Sequence, residues 1–413
     1  MEKWFSVTFS FPTLPTVNHR RLAVKVTNSA EKALRQGHPW LFENGITSIS
    51  HTGRAGDLAV IFDRKRRFLA IGLYDPDSPI RVKILQHQTS ATIDAAWFAQ
   101  TIANALTIRQ PLATSGNTNG YRCINGENDR LPGLIVDRYA GVAVVKLYSA
   151  AWLPHLYAIL EAIRTQLPID QIVIRLSRRL QAQPIELFDG QIVYGNPIDT
   201  PILFQENGLT FEADVIKGQK TGHFLDQRDN RAKVRQLAHG KTVLDLFAAT
   251  GGFSLYAASG GARQVTSVDI SQPTLAVAKR NFAHNQHITN VKRCEHQLMT
   301  GDVFAVLDRL IAQKRRFDIV VVDPPAFAQK QADVEQALRA YGRLARLAAQ
   351  VVRRGGQLVL ASCSSRVSAE KFFTTVQTAL PKSAQPFAKT GHALDHPTTF
   401  REGAYLKCIY FNL

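Results

Sequence analysis

Residues 21–90 contain short apolar or alternating segments separated by turn-forming residues. The alternation of Leu22–Val26 is typical of a strand with one buried face. A short helix is predicted at 29–36. Further strands are predicted at 57–62, 68–74 and 80–85. This pattern predicts a compact β domain of roughly 70 residues.

Residues 93–215 mix the two periodicities. Helical spacing predicts helices at 93–109 and 152–166, and the polar Gly/Asn-rich stretch 114–120 between them predicts a surface loop. Strands are predicted at 133–137, 142–146, 172–175, 185–188, 191–194 and 209–214. We therefore expect a small central α/β domain.

From about residue 228 strands and helices alternate regularly. Strands are predicted at 242–247, 264–269, 291–295, 317–323 and 356–361, with closing strands at 380–387 and 405–411. Such alternation predicts a doubly wound, mostly parallel, Rossmann-like sheet. The expected organisation is an extension (1–20), a β domain (21–92), a central α/β domain (93–215) and a Rossmann-like domain (216–413).

The charge of the chain favours an anionic partner. Lysine and arginine number 50 against 33 acidic residues, giving a formal net charge of +17, and such an excess favours nucleic acid over a generic basic surface or an anionic membrane only modestly. No apolar run approaches a membrane span, and the first 20 residues lack a secretory signal. Four widely separated cysteines form neither a metal motif nor a disulfide framework. We expect a cytoplasmic protein without a metal.

Carboxylates and glycines follow the predicted strands of the Rossmann-like domain, where a doubly wound sheet binds its ligand. The first strand carries Asp245 and leads into Thr250-Gly-Gly-Phe-Ser, the second ends in Asp269, and Asp302 follows the third. An anion beside a glycine turn suits the cationic S-adenosylmethionine better than a dinucleotide pyrophosphate. Asp245 as a turn cap and Asp302 as a helix cap are the structural alternatives. The predicted cofactor contacts in these loops are Asp245, Phe247, Thr250, Gly251, Asp269 and Asp302.

Two further strand ends carry candidate chemistry. Asp323-Pro-Pro-Ala-Phe327 puts a carboxylate and rigid prolines where a flat base would enter, as in amino-group methyltransferases, although Ala326 departs from their aromatic position. The next strand ends in Ser362-Cys363-Ser364. A thiolate that adds to carbon 6 of a pyrimidine would make carbon 5 nucleophilic. Nearby positive charge would favour that thiolate, and Arg366 is the neighbour in sequence. The alternative is a buried thiol that only packs.

These motifs together resemble the class I methyltransferase family that modifies carbon 5 of cytosine in 23S ribosomal RNA and carries an N-terminal PUA domain. The similarity extends over nearly the whole chain after residue 20. It comprises Gly37-His-Pro-Trp-Leu-Phe42, the central stretch 121–139, the stretch 220–231, and the Asp323 and Cys363 motifs.

The resemblance implies S-adenosylmethionine as cofactor, Cys363 as nucleophile, Asp323 beside the base, and Gln227 and Arg228 near the cofactor. Its PUA domain implies RNA binding through shape and backbone contacts, for which Arg21, Arg64, Lys65 and Arg66 are candidates. A solvated basic turn is the alternative for the last three. A homodimer is left open.

The chain departs from that family in two ways. Ala249 stands where many relatives have an aromatic residue before the glycine turn, and Ala361-Ser-Cys-Ser has a single thiol. The single thiol is also similar to uridine-5 methyltransferases, and related enzymes methylate guanine, so these targets stay open. A non-catalytic RNA-binding assembly factor is the remaining alternative.

Overall fold

The computed structural model describes residues 9–10, 12–328 and 330–413. The chain forms two compact units. Within the described residues, the first extends to Gln205 and includes 213–223 and 394–400, and the second comprises 206–212, 224–393 and 401–413. The four-part division expected from the sequence stays a prediction.

A six-stranded sheet lies in the first unit. The alternation in β1 buries Leu22, Val24 and Val26, and Thr27 caps the following helix by accepting from the amide of Ala30. The strand order of this six-stranded sheet is β2-β6-β5-β4-β1-β3. Strand β1 is parallel to β4, and the other neighbouring pairs are antiparallel. The elements are β1 (Leu22–Val26), α1 (Asn28–Arg35), β2 (Trp40–Phe42), β3 (Ile46–Ile49), β4 (Leu58–Phe62), β5 (Phe68–Tyr74) and β6 (Ile80–His87).

A five-stranded sheet of order β11-β10-β9-β8-β7 lies in the same unit. The buried Trp152 belongs to its core, and two ion pairs, Arg109–Asp129 and Arg122–Asp137, are buried beside it. The elements are α2 (Ala95–Ala113), β7 (Gly120–Asn125), β8 (Leu134–Tyr139), β9 (Val142–Leu147), α3 (Leu156–Gln166), β10 (Gln171–Leu176), α4 (Arg178–Gln181) and β11 (Gln191–Tyr194). Two short strands, β12 (Ile202–Glu206) and β13 (Leu209–Ala213), follow.

The second unit contains a seven-stranded sheet of order β16-β15-β14-β17-β18-β20-β19. The first five strands in this order are parallel, and β20 is antiparallel to both of its neighbours. The elements are α5 (Arg228–Leu237), β14 (Thr242–Leu246), α6 (Gly252–Ser259), β15 (Gln264–Asp269), α7 (Gln272–His284), α8 (Thr289–Arg293), β16 (Glu295–Thr300), α9 (Val303–Ala312), β17 (Phe317–Val322), α10 (Val334–Gln350), β18 (Val352–Ser362), α11 (Ala369–Ala379), β19 (Gln385–Thr390) and β20 (Lys407–Asn412).

This architecture confirms the expected fold class, and three predicted strands need correction. Residues 289–293 form α8, so the strand predicted at 291–295 lies at Glu295–Thr300; it is a sheet edge and therefore needs no continuous apolar run. Residues 185–188 do not form a strand. Leu187 is buried by packing without pairing to a strand, so its apolar character did not indicate a strand. The strand predicted at 380–387 begins at Gln385. The sequence did not predict β2, β3, β7 or β12.

Within the described residues, no helix combines the length and the apolarity that a membrane span requires.

Candidate active site

The candidate site lies where β14 and β17 end side by side. These strands are neighbours at the centre of the sheet, and the chain leaves β14 toward β15 on one side while β18 lies beyond β17 on the other. At such a switch point the loops diverge and leave a crevice for a ligand. The amide of Asp323 donates to the carbonyl of Leu246, which joins the two strand ends directly.

Asp245 is a buried carboxylate with only one of its oxygens satisfied. Its Oδ2 accepts from the amide of Ser254 at 3.0 Å and from the Ser254 hydroxyl at 2.6 Å. Its Oδ1 is buried and has no hydrogen-bond partner among the described residues. Asp245 therefore does hold the start of α6, as the capping alternative requires, but it also leaves an acceptor available to a ligand.

The loop after β14 has an unusual backbone. Phe247, Ala249 and Gly251 all have positive φ, at 61°, 47° and 78°. Only glycine adopts this region freely, so the two other residues store strain of the kind found at ligand sites. A Cβ on Gly251 would lie 2.8 Å from the Cβ of Ala278. Gly251 is thus required both by its conformation and by its close contact with α7.

Asp269 ends β15 and organises the same loop. Its Oδ2 accepts from the amide of Ala249 at 3.0 Å, and its Oδ1 accepts from the amide of Ser271 at 2.9 Å. Each carboxylate oxygen can accept a second hydrogen bond. The carboxylate can therefore stabilise the loop and still receive ligand hydroxyls.

Asp302 is an exposed N-cap of α9. Its Oδ1 accepts from the amide of Ala305 at 3.1 Å. Because β16 ends at Thr300, Asp302 comes two residues after the strand. Asp302 therefore caps α9, as the structural alternative predicted, and its contact with a ligand stays a prediction.

The electrostatics of this crevice suit a cation. The pKa of Asp245 is raised to about 7, mainly by burial and in addition by the negative charges of Asp323 and Asp269. An approaching cation would offset both costs and stabilise the ionised form. The unpartnered Oδ1 of Asp245 and the cluster of carboxylates therefore fit a positively charged ligand such as S-adenosylmethionine.

A chain of hydrogen bonds extends from Asp245 to His296. The hydroxyls of Ser254 and Ser267 lie 2.6 Å apart, and Ser267 lies 2.8 Å from Nε2 of His296. Burial lowers the pKa of His296 to about 4, and its ring stacks on Phe282. When Asp245 is ionised, each hydroxyl donates toward it, so the neutral His296 donates through Nε2.

A second chain of hydrogen bonds orients Asp323. The Gln227 amide donates from Nε2 to Oδ1 of Asp323 at 2.8 Å, and Asn230 donates to Oε1 of Gln227 at 2.6 Å. Asn230 in turn accepts from the hydroxyl of Thr390 at 2.6 Å. The resemblance implied that Gln227 lies near the cofactor, whereas its side chain contacts the residue predicted to meet the base.

Arg228, the residue predicted beside Gln227, begins α5 and is almost completely buried. Its Nε lies 3.9 Å from Oδ1 of Asp229. Burial raises the pKa of Tyr256, and the positive charge of Arg228 opposes that rise. A contact between Arg228 and a cofactor stays a prediction.

Cys363 is half-buried just beyond the end of β18. Its Sγ lies 3.8 Å from the carbonyl oxygen of Pro324. The flanking Ser362 and Ser364 are fully buried, and both hydroxyls lie 2.9 Å from the hydroxyl of Tyr341. The serines thus face α10 and the thiol faces the Asp323–Pro324 turn, rather than the hydrophobic core.

Comparison with known proteins agrees with this geometry. A family model described as S-adenosylmethionine-dependent methyltransferase matches residues 126–402, and a model described as PUA-like domain matches residues 24–87. The chain belongs to the S-adenosylmethionine-dependent methyltransferase family. Its cofactor is S-adenosylmethionine, and the sequence-based recognition of a PUA-like domain joined to a methyltransferase is confirmed.

Curated relatives match this methyltransferase along almost its whole length. A protein named ribosomal RNA large subunit methyltransferase, from Deinococcus radiodurans, is 45% identical over 97% of this chain and 99% of its own. A protein named ribosomal RNA large subunit methyltransferase I, from Pseudoalteromonas translucida, is 35% identical over 93% of this chain and 98% of its own.

Solved structures share the fold. A SAM-dependent methyltransferase from Streptococcus mutans has a TM-score of 0.80 and covers 95% of this chain and 100% of its own, at 23% identity. Another methyltransferase, solved in complex with SAH, has a TM-score of 0.81 at the same identity and coverage.

The predicted RNA-binding cations of the methyltransferase lie on the six-stranded sheet. Arg64, Lys65 and Arg66 form the exposed turn between β4 and β5, and Arg21 is exposed before β1. A groove of about 1150 Å³ beside this turn is lined in part by the cationic residues Lys25, Arg64 and Arg66 and by Thr47, Ser48 and Ser50, and Asp63 also borders it. Cations and hydroxyl groups together suit a phosphate backbone.

The cationic residues of this turn differ in whether they pair with an acidic residue of the protein. Arg35 and Arg67 both donate to Oδ2 of Asp63 at 2.8 Å. The backbone amide of Arg67, together with these two side chains, lowers the pKa of Asp63 to about 2. No ion pair of Arg64, Lys65 or Arg66 occurs among the described residues. Arg67 is therefore occupied within the protein, whereas its three neighbours are available to a partner.

The sequence analysis missed two polar residues of the methyltransferase site. Asn230 supports Gln227, and the buried Lys407 donates to the carbonyls of Ser364 and Val367 beside Cys363. The sequence does contain a signal for Lys407, because it is a charged residue near the start of the otherwise apolar predicted strand 405–411. Arg366, the cation expected from the sequence, is exposed.

Proposed function

We propose that this methyltransferase forms 5-methylcytosine in large-subunit ribosomal RNA, with Cys363 as the nucleophile. The curated relatives carry names that specify ribosomal RNA of the large subunit. The basic PUA-like sheet offers exposed cations for the RNA backbone. A ribosomal RNA substrate, 23S in the family that the sequence resembles, implies a reaction in the cytoplasm.

The observation that carries the proposal is the direction of the Cys363 side chain. Its Sγ lies beside the carbonyl of Pro324, while Ser362 and Ser364 face Tyr341 on the opposite side. A thiol with only a packing role would be expected where the serines are. The direction of the half-buried thiol, toward the Asp323–Pro324 turn, supports a crevice that it would share with Asp323.

Asp245, Asp269 and the Phe247–Gly251 loop would hold the cofactor, and Asp302 would meet its adenine edge. S-adenosylmethionine supplies an electrophilic methyl group on a sulfonium. The buried carboxylate of Asp245 favours this positive charge through its unpartnered oxygen.

The residues around Asp323 would bind and orient the base. Gln227 orients the carboxylate of Asp323, and because each carboxylate oxygen can accept more than one hydrogen bond, the carboxylate can also accept from the exocyclic amine of cytosine. The target nucleotide must be unstacked or single-stranded, since carbon 6 is shielded within a stacked helix.

The thiolate of Cys363 then adds to carbon 6, forming a carbon–sulfur bond and placing the electron pair on carbon 5. Carbon 5 would then take the methyl group as the sulfonium carbon–sulfur bond breaks and leaves a neutral thioether. A base would remove the carbon-5 proton, and the electrons of that C–H bond would re-form the carbon 5–carbon 6 double bond and expel the thiolate. Cys408 does not suit the role of base. Burial raises the pKa of its thiol to about 12, so the thiol stays protonated near neutral pH and cannot accept a proton.

The test is methylation of protein-free ribosomal RNA with labelled S-adenosylmethionine, read by nucleoside mass spectrometry. We expect 5-methylcytosine with the wild type and none with Cys363→Ala, while Cys294→Ala, the matched control at a half-buried thiol away from β18, keeps full activity. RNA containing 5-fluorocytidine should form a covalent adduct with the wild type only. Undiminished 5-methylcytosine from Cys363→Ala would refute the proposal.

The same experiment separates the alternatives. A single accessible thiol beside Asp323 also suits uridine carbon 5, which would appear as 5-methyluridine. Methylated guanine would show that the thiol is not the nucleophile. Cofactor binding without any methylated nucleoside would indicate an assembly factor.

A further inference from the structure

Lys407 is a buried lysine that has no carboxylate partner in the part of the chain that the structure describes. It is 3% exposed, and among the described residues no ion pair joins it to Asp or Glu. Buried lysines are rare and are normally paired with an acid or extend to the solvent. A positive charge buried without an acid is costly, so this lysine requires another explanation.

The position of Lys407 follows from the sheet. Lys407 begins β20 and lies opposite Ser362 in the antiparallel pairing with β18. Its ammonium donates to the carbonyl of Ser364 at 2.7 Å and to the carbonyl of Val367 at 2.8 Å. Both carbonyls belong to the loop that begins with Cys363, so the lysine fixes the backbone on which the thiol stands.

Lys407 also acts electrostatically on Cys363. Burial lowers the pKa of Lys407 to about 8, and Cys363 is the titratable group whose charge opposes that shift. A Coulomb interaction is mutual, so the ammonium favours the thiolate as much as the thiolate favours the ammonium. The same loop also contacts the Tyr341 hydroxyl and the Pro324 carbonyl that follows Asp323, and it carries the exposed Arg366.

We propose that Lys407 is the positioning residue of the nucleophile: its ammonium holds the Cys363–Val367 loop and stabilises the Cys363 thiolate. The inference rests on the proposed role of Cys363. Because its ammonium donates to two backbone carbonyls of this loop, the proposed role of Lys407 is exerted through Cys363 rather than through the base.

The test is the rate of alkylation of Cys363 by iodoacetamide, followed site by site with peptide mass spectrometry from about pH 5.5 to about pH 9.5. We expect Lys407→Met to raise the midpoint of the pH profile by about one unit, which corresponds to about tenfold less thiolate at pH 7. Lys407→Arg should retain most of the effect, and the exposed Lys371→Met is the matched control that leaves the midpoint unchanged. An unchanged midpoint in Lys407→Met that still binds S-adenosylmethionine would overturn the proposal.

A second measurement serves if Lys407→Met does not fold. The Cys363 midpoint of the folded wild type is compared with that of the same residue in urea, and we expect it to be lower in the folded protein. An equal or higher folded midpoint contradicts the proposal. Neither measurement needs RNA, whereas the proposed function is tested by nucleoside analysis, so the two can fail separately.

Discussion

Gln227 and Asp323 are joined by a hydrogen bond of 2.8 Å between the amide Nε2 and the carboxylate Oδ1, across 96 positions of sequence. This bond fixes the carboxylate with one oxygen directed away from Gln227. Asn230 and Thr390 fix the amide in turn, so its orientation is determined by the network. Gln227 therefore connects the start of α5 to the strand end where the base is proposed to bind.

Replacing Gln227 should impair turnover more than cofactor binding. Gln227→Met keeps the size of the side chain and removes its donor, so Asp323 would lose its orientation. We expect kcat to fall by about tenfold to about a hundredfold, in the range of a lost orienting contact, and the Kd for S-adenosylmethionine to change less than about twofold. Calorimetry and single-turnover methylation measure the two quantities. A large change in Kd with kcat unchanged would instead favour the cofactor role implied by the resemblance.

Asp245→Asn should stabilise the cofactor-free protein and weaken cofactor binding. The pKa of Asp245 is raised from 3.8 to about 7, so the folded state retains a proton that the unfolded chain loses. Stability is therefore lost as pH rises from about 4 to about 7 and remains reduced above that range. At about 1.4 kcal/mol per pKa unit, the cost at pH 8 is at most about 4 kcal/mol.

Thermal unfolding at pH 8 should accordingly give a higher Tm for Asp245→Asn than for the wild type, and at pH 4 the difference should largely vanish. Cofactor affinity of the wild type should rise as pH increases through about 7, because the ionised carboxylate binds the cation. A lower Tm of the variant at pH 8 would show that the carboxylate is stabilising in the free protein.

Two substitutions at Asp302 separate capping from ligand binding. Asp302→Ala removes the cap of α9 and should lower the free energy of unfolding by about 1 kcal/mol. Asp302→Ser restores a capping oxygen without the carboxylate, so its stability should return to near that of the wild type. If Asp302 also contacts the cofactor, both variants bind S-adenosylmethionine more weakly. Wild-type affinity in Asp302→Ser would assign the residue to the helix alone.

The basic turn should contribute to RNA affinity in a salt-dependent way. Arg64→Ser, Lys65→Ser and Arg66→Asn remove its charges, and asparagine tolerates the positive φ of 60° at position 66. Each lost phosphate contact should reduce the slope of log K against log salt by about 0.7 to about 0.9. Fluorescence anisotropy at several salt concentrations measures the slope. Arg67→Ser is the control, since Arg67 is bound to Asp63.

The fold class, and the strand ends at which the candidate site residues lie, could be predicted from local sequence. The period of two in Leu22–Val26, the regular alternation after residue 228, and the carboxylates at the strand ends are all readable without the structure, because a parallel sheet collects its strand ends at one edge. The edge strand Glu295–Thr300 was misplaced by several residues. An edge strand is only half covered, so its sequence carries little hydrophobic signal.

Only the tertiary structure decided which polar groups meet. Lys407 and Ser362 are 45 positions apart in sequence and become neighbours through an antiparallel pairing, whereas Arg366, only three positions after Cys363, is exposed. Likewise, the partner of Gln227 is set by the packing of α5 near the end of β17. Sequence determines which strand end each side chain occupies, but the direction of a side chain and its hydrogen-bond partners depend on register and packing between distant segments.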